Sequence, residues 1–524
     1  MKKQVLLLLL LSLQITFSWA QDSQERGAYF YKKAYTPEAL PAFATSRELL
    51  PKPILEEHPE WIKLYWKAWE IAFSNLQQPA PGSPLVANWI DEGLTPQIFQ
   101  WDTHFMALFG RYGHRAFPFI ASHDNFYARQ HSDGMICRIL NEADGADHEW
   151  GLGENFARTI NPPLFSWAEM EYYKFTGDTD RLRKILPPIE KYIAWIEQHR
   201  KAHGTPHELY WSNGQASGMD NTPRDRDRGG HRGDIHSATD AMGWVDMSSQ
   251  MKMCYDHLSN ICQILGEKKK AKQYQAKSAD LKARINRFMW NDSTGCYHDV
   301  RPDGKQTSWI TIATFGPIIA DVASAQQVER LVAVLQDKNL FWRQMPLPSL
   351  AANQPYYDKC GNYWQGGVWP PTSYMTVKGL QEKGYHHLAQ RIAEKQLDAF
   401  WRVYESTGTI WEVYAPDIYM PATTATHNEL CRPNFVGWAG VVPISMLIEH
   451  VIGITVDGTT NTVAWNTTRE TKHGVEDLYF VQNEVSLLRE GDLIEIKATS
   501  PFKLVFNGTA YQVKSGTSQI KIKR

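Results

Sequence analysis

Two acidic side chains about 190 residues apart stand out by their surroundings: Asp220 in Ser217-Gly218-Met219-Asp220-Asn221-Thr222-Pro223-Arg224, and Glu412 in Thr409-Ile410-Trp411-Glu412-Val413-Tyr414. Each lies among aromatic residues and turn-forming glycines. Cleaving a glycosidic bond with inversion takes one carboxylic acid to protonate the leaving oxygen and one carboxylate to activate a water on the opposite face of the sugar. In such a pair one carboxyl would hold its proton near neutral pH, raised by desolvation or by a neighbouring negative charge, and the other would stay ionised. Inversion further requires the two carboxyl groups to stand about 6.5–9.5 Å apart, whereas about 5 Å would point to retention. Taken singly, either residue could equally be a helix cap or half of a surface ion pair.

Positioning these groups falls to helices. In Trp61 to Leu76 the apolar residues Ile62, Tyr65, Trp69, Ala72, Phe73 and Leu76 recur at the spacing of one buried helical face. Val245 to Leu265 repeats the pattern, Gly266 breaks it, and a second helix runs through Tyr274, Leu281, Ile285 and Phe288, making a helical hairpin. Further helices are expected over 103–112, 116–130, 163–176, 180–201, 310–319, 324–336, 370–383, 385–401 and 434–452, about twelve in all. Gly- and aromatic-rich connectors join them, among them Trp211-Ser212-Asn213-Gly214, Tyr363-Trp364-Gln365-Gly366-Gly367 and Thr407-Gly408-Thr409, and both candidate carboxylates lie on such loops. A rigid scaffold presenting loops is where catalysis usually sits. The expected fold is mainly α, an (α/α)6 barrel over residues 56–455; periodicity alone would also allow a helical solenoid, but no sequence repeat supports one.

Beyond Gly458 short alternating runs such as Leu493-Ile494-Glu495-Ile496-Lys497 and Gln519-Ile520-Lys521-Ile522-Lys523 predict a small C-terminal β-sandwich over 456–524. Residues 21–55 contain Pro and read as an irregular segment wrapping the barrel. Residues 1–20 read as a signal peptide: Lys2 and Lys3, an apolar run from Val5 to Leu13, and a small-residue cleavage site at Ser18-Trp19-Ala20. The mature protein is thus expected in the periplasm or outside the cell. No Cys directly follows the proposed cleavage point to carry a lipid, and no later segment has eighteen uninterrupted apolar residues.

The 524-residue chain carries a formal net charge of −2 with no basic stripe, which excludes electrostatic grounds for a nucleic-acid partner and leaves a neutral or small molecule, here an oligosaccharide or small glycoside. Its six cysteines lack metal or redox spacing and admit fifteen pairings, among which the sequence does not choose. No organic cofactor or metal is expected. Calcium at Asp225 and Asp227 is the one metal alternative, and these two carboxylates are not a complete ligand set.

Five blocks, Trp101-Asp102-Thr103-His104, Gly218-Met219-Asp220-Asn221-Thr222-Pro223-Arg224, Tyr363-Trp364-Gln365-Gly366-Gly367-Val368-Trp369-Pro370, Trp411-Glu412-Val413-Tyr414 and Phe435-Val436-Gly437-Trp438, stand in the order seen in family 63 glycoside hydrolases. Over roughly residues 60–455 the chain resembles the mannosylglycerate hydrolase type and, more distantly, family 37 trehalases. The resemblance implies an (α/α)6 barrel and an inverting, exo-acting α-glycosidase with Asp220 as general acid and Glu412 as general base. It favours sugar binding over helix capping for Asp102, and adds Trp101, His104 and Arg224 as neighbours of the substrate. Trp364, Trp369, Trp411 and Trp438 could stack on a pyranose, Trp369 and Trp411 being the expected walls, and Gln365 is a candidate hydroxyl partner. Two stretches depart from the family pattern. The charged run Arg224 to Arg232 lacks the expected aromatic; its charges could pair among themselves, or Arg226, Arg228 or Arg232 could recognise an acidic aglycone such as a glycerate or uronate. The long segment 415–432 could form a lid. A disaccharide phosphorylase and a glycan-binding protein without catalysis are the rival functions.

Overall fold

The computed structural model describes residues 29–93, 95–148, 160–224, 241–425 and 429–522. The signal-peptide region, the charged run 225–234 with Asp225, Asp227 and its arginines, and residues 426–428 of the 415–432 segment lie outside the described residues.

The helices form two concentric rings. The barrel helices are α1 Pro59–Ser74, α2 Gln100–Gly110, α3 Ser122–Ala128, α4 Phe165–Thr176, α5 Thr179–His199, α6 Val245–Ile264, α7 Lys268–Met289, α8 Gly316–Ile319, α9 Ala325–Gln336, α10 Pro370–Glu382, α11 His386–Thr407 and α12 Val442–Ile452, the last wound as a π-helix. Contacts run from α2 to α4, α6, α8, α10 and, through the short 3-10 turn Ala439–Val441 that leads into α12, back to α2, closing an inner ring. The members of that ring are buried nearly all round: every residue of α2 and of α12 is buried. A helix apolar on all sides belongs inside. The outer helices keep one wet face, as in α9, where Val328, Leu331, Val332 and Leu335 are buried at helical spacing behind a Ser324 capping box. The solenoid alternative is excluded by closure of the ring.

Three expected helices are shorter than periodicity suggests. The 116–130 stretch becomes a 3-10 turn, Phe119–Ala121, followed by α3, because Pro118 cannot continue a helix. The 310–319 stretch divides into a 3-10 turn at Ile312–Phe315 and the short α8 that opens on Gly316-Pro317. The last helix starts after Gly437 and Gly440 rather than at Asn434.

The tail is a two-sheet β unit. Its strands are β1 Lys52–Leu55, β2 Ile454–Asp457, β3 Thr462–Trp465, β4 His473–Phe480, β5 Asn483–Glu490, β6 Leu493–Ala498, β7 Phe502–Phe506, β8 Thr509–Val513 and β9 Gly516–Lys521. One sheet has the order β1-β4-β5-β6-β9, all antiparallel; the other runs β8-β7-β3-β2, with β7 and β3 parallel. The recruitment of β1 corrects the reading of 21–55 as irregular throughout: its last residues pair with β4 as an edge strand, a position that tolerates Pro53.

Docking of this unit fixes the polarity of the barrel. Gly458 N–H donates to Lys174 O, Val481 N–H to Phe175 O and the Trp465 indole to Ile452 O, all at C-terminal ends of inner helices. The other end, where α2, α6, α10 and α12 begin, carries the loops with Asp220, Tyr363 and Glu412. All six cysteines are free thiols, five of them buried. No described helix is long and apolar enough to cross a membrane.

Candidate active site

Asp220 stands on a tightly specified turn. The Asn213 side chain caps the short helix Gly214–Ser217 by accepting from Ala216 N–H at 2.8 Å, and Gly218 ends it at φ +76°. A Cβ on Gly218 would lie 2.9 Å from the Trp101 ring, so glycine is required both by conformation and by space. Trp101 is therefore the floor under the Asp220 turn. Asp220 itself is half-buried. Its neighbour Asn221 clamps the turn onto the 362–365 loop: its amide donates to Asn362 O at 3.0 Å, its Oδ1 accepts from Trp364 N–H at 2.7 Å, and its carbonyl accepts from the Gln365 amide at 3.2 Å.

That loop reaches across to Glu412. Tyr363, held at φ +60° next to Asn362 at +38°, donates its hydroxyl to Glu412 Oε1 at 3.3 Å. Left-handed backbone at a bulky residue is costly and concentrates at functional sites. The backbone of Glu412 is fixed on both sides, its N–H donating to Arg432 O at 2.9 Å and its carbonyl accepting from the Trp438 indole at 2.8 Å, while Oε2 accepts from Arg432 N–H at 3.3 Å. One clamp thus joins two distant stretches of chain and brings Asp220 within the field of Glu412.

The electrostatics around this pair are those of crowded carboxyls. Burial raises Glu412 to about 7, with Asp220 adding to the shift and Arg432 and Tyr363 opposing it. Burial, then the charge of Glu412, pushes Asp102 well above the usual carboxylate range, with Asp91 and Asp220 contributing. The shift favours the protonated form of Asp102, which can donate a hydrogen bond. Behind it Glu92 is fully buried and likewise raised, by burial and then by Asp91 and Asp102, and burial with Glu142 lifts Asp91 to about 8. Burial, then Glu412 and Asp220, keeps the Tyr363 phenol protonated and able to donate. Arg138 joins Arg432 as a cation near this group, within the fields of Asp220, Asp102 and Tyr363, with its guanidinium donating to Gln215 Oε1 at 3.1 Å.

Several expected ligands are instead the frame. Arg224 is 3% exposed; it donates to Asp246 at 2.6 Å and to Asp299 at 3.1 Å and lies 4.1 Å over the Trp244 ring, tying the chain after Asp220 to the start of α6. His104 is buried against His123 at 3.1 Å, and burial holds it well below the ordinary histidine range. Trp369, expected as a wall, is 0% exposed: it stacks on Trp364 at 4.1 Å and 7°, and its indole donates to Tyr363 O. The Trp411 indole donates to Thr407 at the end of α11. Gln365 is spent on Asn221 and Asn362. Trp438 backs Glu412, 5.4 Å from Trp369 and 4.8 Å from Phe435. Asp102, Asp220 and Glu412 remain as a cluster of mutually interacting carboxyls, joined by Tyr363, Arg138 and Arg432, which the sequence reading left out. Tyr363 carried a signal, since it opens one of the aromatic blocks; Arg138 carried none. No described group of His, Cys, Asp and Glu has the arrangement of a metal site.

A closed double ring of helices with buried carboxyls over one end and a β unit on the other defines a glycoside hydrolase of the (α/α)6 type. The chain belongs to the mannosylglycerate hydrolase MGH1-like glycoside hydrolase family, whose domain model matches residues 95–427. Among solved structures it is similar to the family 63 mannosylglycerate hydrolase from Thermus thermophilus in complex with glucose, with 19% identity, a TM-score of 0.58, and 73% of this chain against 99% of that one. It is also similar to the neutral trehalase from Saccharomyces cerevisiae, with 12% identity, a TM-score of 0.51, and coverage of 72% and 77%. A Borreliella burgdorferi protein of uncharacterised function is 28% identical over 375 residues, 70% of this chain and 74% of that protein.

Proposed function

We propose that the protein is an inverting, exo-acting hydrolase of an α-linked glucoside or mannoside, with Asp220 as general acid and Glu412 as general base. The observation that carries this reading is the setting of Glu412: a buried carboxylate near its titration point, held by Tyr363 and Arg432 within the field of Asp220. A general base works best when its pKa lies near the operating pH. In the proposed reaction the Asp220 carboxyl gives its proton to the glycosidic oxygen as the C1–O bond breaks. Glu412 takes a proton from a water whose oxygen bonds to C1 from the opposite face. Each turnover leaves Asp220 ionised and Glu412 protonated, and exchange with solvent resets both. Protonated Asp102 donates to a hydroxyl of the sugar being released. Turnover needs no cofactor and should persist in EDTA; the signal-like N-terminus supports action outside the cytoplasm.

Proton NMR during turnover tests the reading: the first sugar released from an α-linked substrate should be the β-anomer. Release of the α-anomer would refute inversion, phosphate-dependent release of a sugar phosphate would establish the phosphorylase, and binding of saccharides without product would leave a binding protein.

The titration of Glu412 sets the acid limb. The base must be ionised, so kcat/KM should fall about tenfold per pH unit below about 7. Tyr363 donates to the ionised form; Tyr363→Phe removes that donor, raises the Glu412 pKa and moves the limb to higher pH, so that the variant loses more activity at pH 6 than at pH 8. A limb that stays in place would show that Tyr363 does not act on Glu412.

A further inference from the structure

Behind the Asp220 turn the inner ring holds a cavity of about 30 Å³ that the chemistry above leaves unused. Met219, the residue before Asp220, forms part of its wall, and the rest comes from α6, α8, α10 and the turn leading into α8. Asp246, Ser249, Gln250 and Met253 line it from α6, at the three-and-four spacing of one helical face. Three polar atoms of that face, Asp246 Oδ2, Ser249 Oγ and Gln250 Oε1, have no hydrogen-bond partner among the described residues. Their residues are 4%, 1% and 4% exposed, so bulk solvent does not serve them. A buried polar atom left unpaired is costly, and three on one wall mark a site built for a polar occupant.

The cavity is tied to the Asp220 turn on both sides of that residue. Before it in the chain, Met219 lines the cavity and its sulfur accepts from Arg224 at 3.7 Å. After it, Arg224 donates to Asp246 Oδ1 at 2.6 Å, which leaves the second carboxyl oxygen of Asp246 over. Size and charge select the occupant. A water needs about 10–15 Å³ of such space and two to four polar partners, so about two waters fit and a sugar does not. Asp299 balances the Arg224 guanidinium, accepting from it at 3.1 Å and from Val245 N–H at 2.8 Å. Burial raises the Asp246 carboxyl against the pull of Arg224, with Asp299 adding to the shift. A carboxyl so placed calls for a hydrogen-bonding neighbour rather than a metal cation.

We propose that about two ordered waters occupy this cavity, bridging Asp246, Ser249 and Gln250, and that they complete the anchor holding the Asp220 turn against α6. The water site stands on the cavity and its unpaired atoms. Its effect on turnover rests on the role of Asp220 given under Proposed function, and the experiment separates the two.

A high-resolution crystal structure of the unaltered protein should show about two waters within hydrogen-bond distance of the three atoms. A cavity without density, a metal ion or organic molecule inside it, or side chains turned to pair with one another would overturn the site. Gly316→Ala tests it in solution. Gly316 lines the cavity in right-handed helical conformation, and a Cβ there would stand 3.7 Å from Ser249 Oγ, an ordinary contact. In a dry cavity the added methyl fills space and stiffens the chain, which raises the melting temperature. In a hydrated one it displaces a water and strands that water's partners, so the melting temperature should fall; a rise would overturn the proposal. The variant should also lose about three- to tenfold in kcat on an unactivated α-glycoside, because a shifted acid donates poorly. On an α-glycosyl fluoride, whose leaving group needs little help from an acid, it should lose at most about twofold. Equal losses, or no loss on either, would overturn the anchoring of Asp220. Failure of the unaltered protein to hydrolyse either substrate would remove the glycosidase reading and leave the water site to the diffraction and melting results.

Discussion

Glu412→Gln and Asp220→Asn should each lower kcat on an unactivated α-glycoside by about 10²–10⁴-fold, the usual share of a positioned acid or base. A second substrate separates the two roles. A dinitrophenyl α-glycoside departs as a stable anion and needs no proton, so Asp220→Asn should recover most of its activity on it, whereas Glu412→Gln, which cannot activate water, should not. Stability should move in the opposite direction to activity. Glu412 has a folded-state pKa raised from the ordinary value to about 7, so the fold favours its protonated form, and the contribution present at low pH is lost as pH rises through about 7. Glutamine keeps the shape without the buried charge, and the melting temperature of Glu412→Gln at pH 8 should equal or exceed that of the unaltered protein. A variant that lost activity together with its fold would remove the catalytic argument; one that turned over normally would remove Glu412 from its role.

The legible part of the site was the part encoded locally. Asp220 and Glu412 announce themselves because each lies on a turn whose glycines and aromatics are adjacent in sequence, and the ring of helices follows from runs of apolar periodicity. What the sequence hid was the direction of side chains within a helix buried all round. Asp102 and His104 lie two apart on α2, every residue of which is buried; one interacts with the carboxyls of Glu412 and Asp220 and the other with His123, and periodicity has no exposed face from which to tell them apart. The same applies to Arg224 and Gln365. Both have the chemistry of ligands, but their partners, Asp299 and Asn221, are 75 and 144 positions away and appear only when the chain closes. Of the tryptophans, Trp369 and Trp364 stack on each other and are both buried, which leaves no face open to a sugar. β1 escaped notice because four residues with a proline give no strand signal until β4 pairs with them.

The largest loss of stability is expected far from the chemistry. At the end of the barrel that faces the β unit, Glu449 on α12 accepts from Arg111 at 2.5 Å, from Tyr112 at 3.1 Å and from Tyr374 at 3.0 Å, with Lys378 at 3.6 Å. Lys378 also pairs with Glu171 at 3.1 Å, and Arg111 lies 3.8 Å from the same carboxylate. Arg111, Glu171, Lys378 and Glu449 are all buried, and they join α2, α4, α10 and α12 across the inner ring. Opposing charges hold both acids below the ordinary carboxylate range despite burial. The value of such a knot lies in its completeness: a well-packed apolar replacement of the whole could be neutral, but removing one partner strands the other charges in the interior. Glu449→Ala should therefore cost about 3–5 kcal/mol in urea unfolding, and Arg111→Met a similar amount. Made together, the two changes should cost less than their sum, because the second removes a charge that the first left unpaired. Molecules that remain folded should keep their KM, since the knot lies at the far end of the inner helices from Asp220 and Glu412. Strict additivity, or a change in KM with unchanged stability, would show that these residues act elsewhere than in closing the ring.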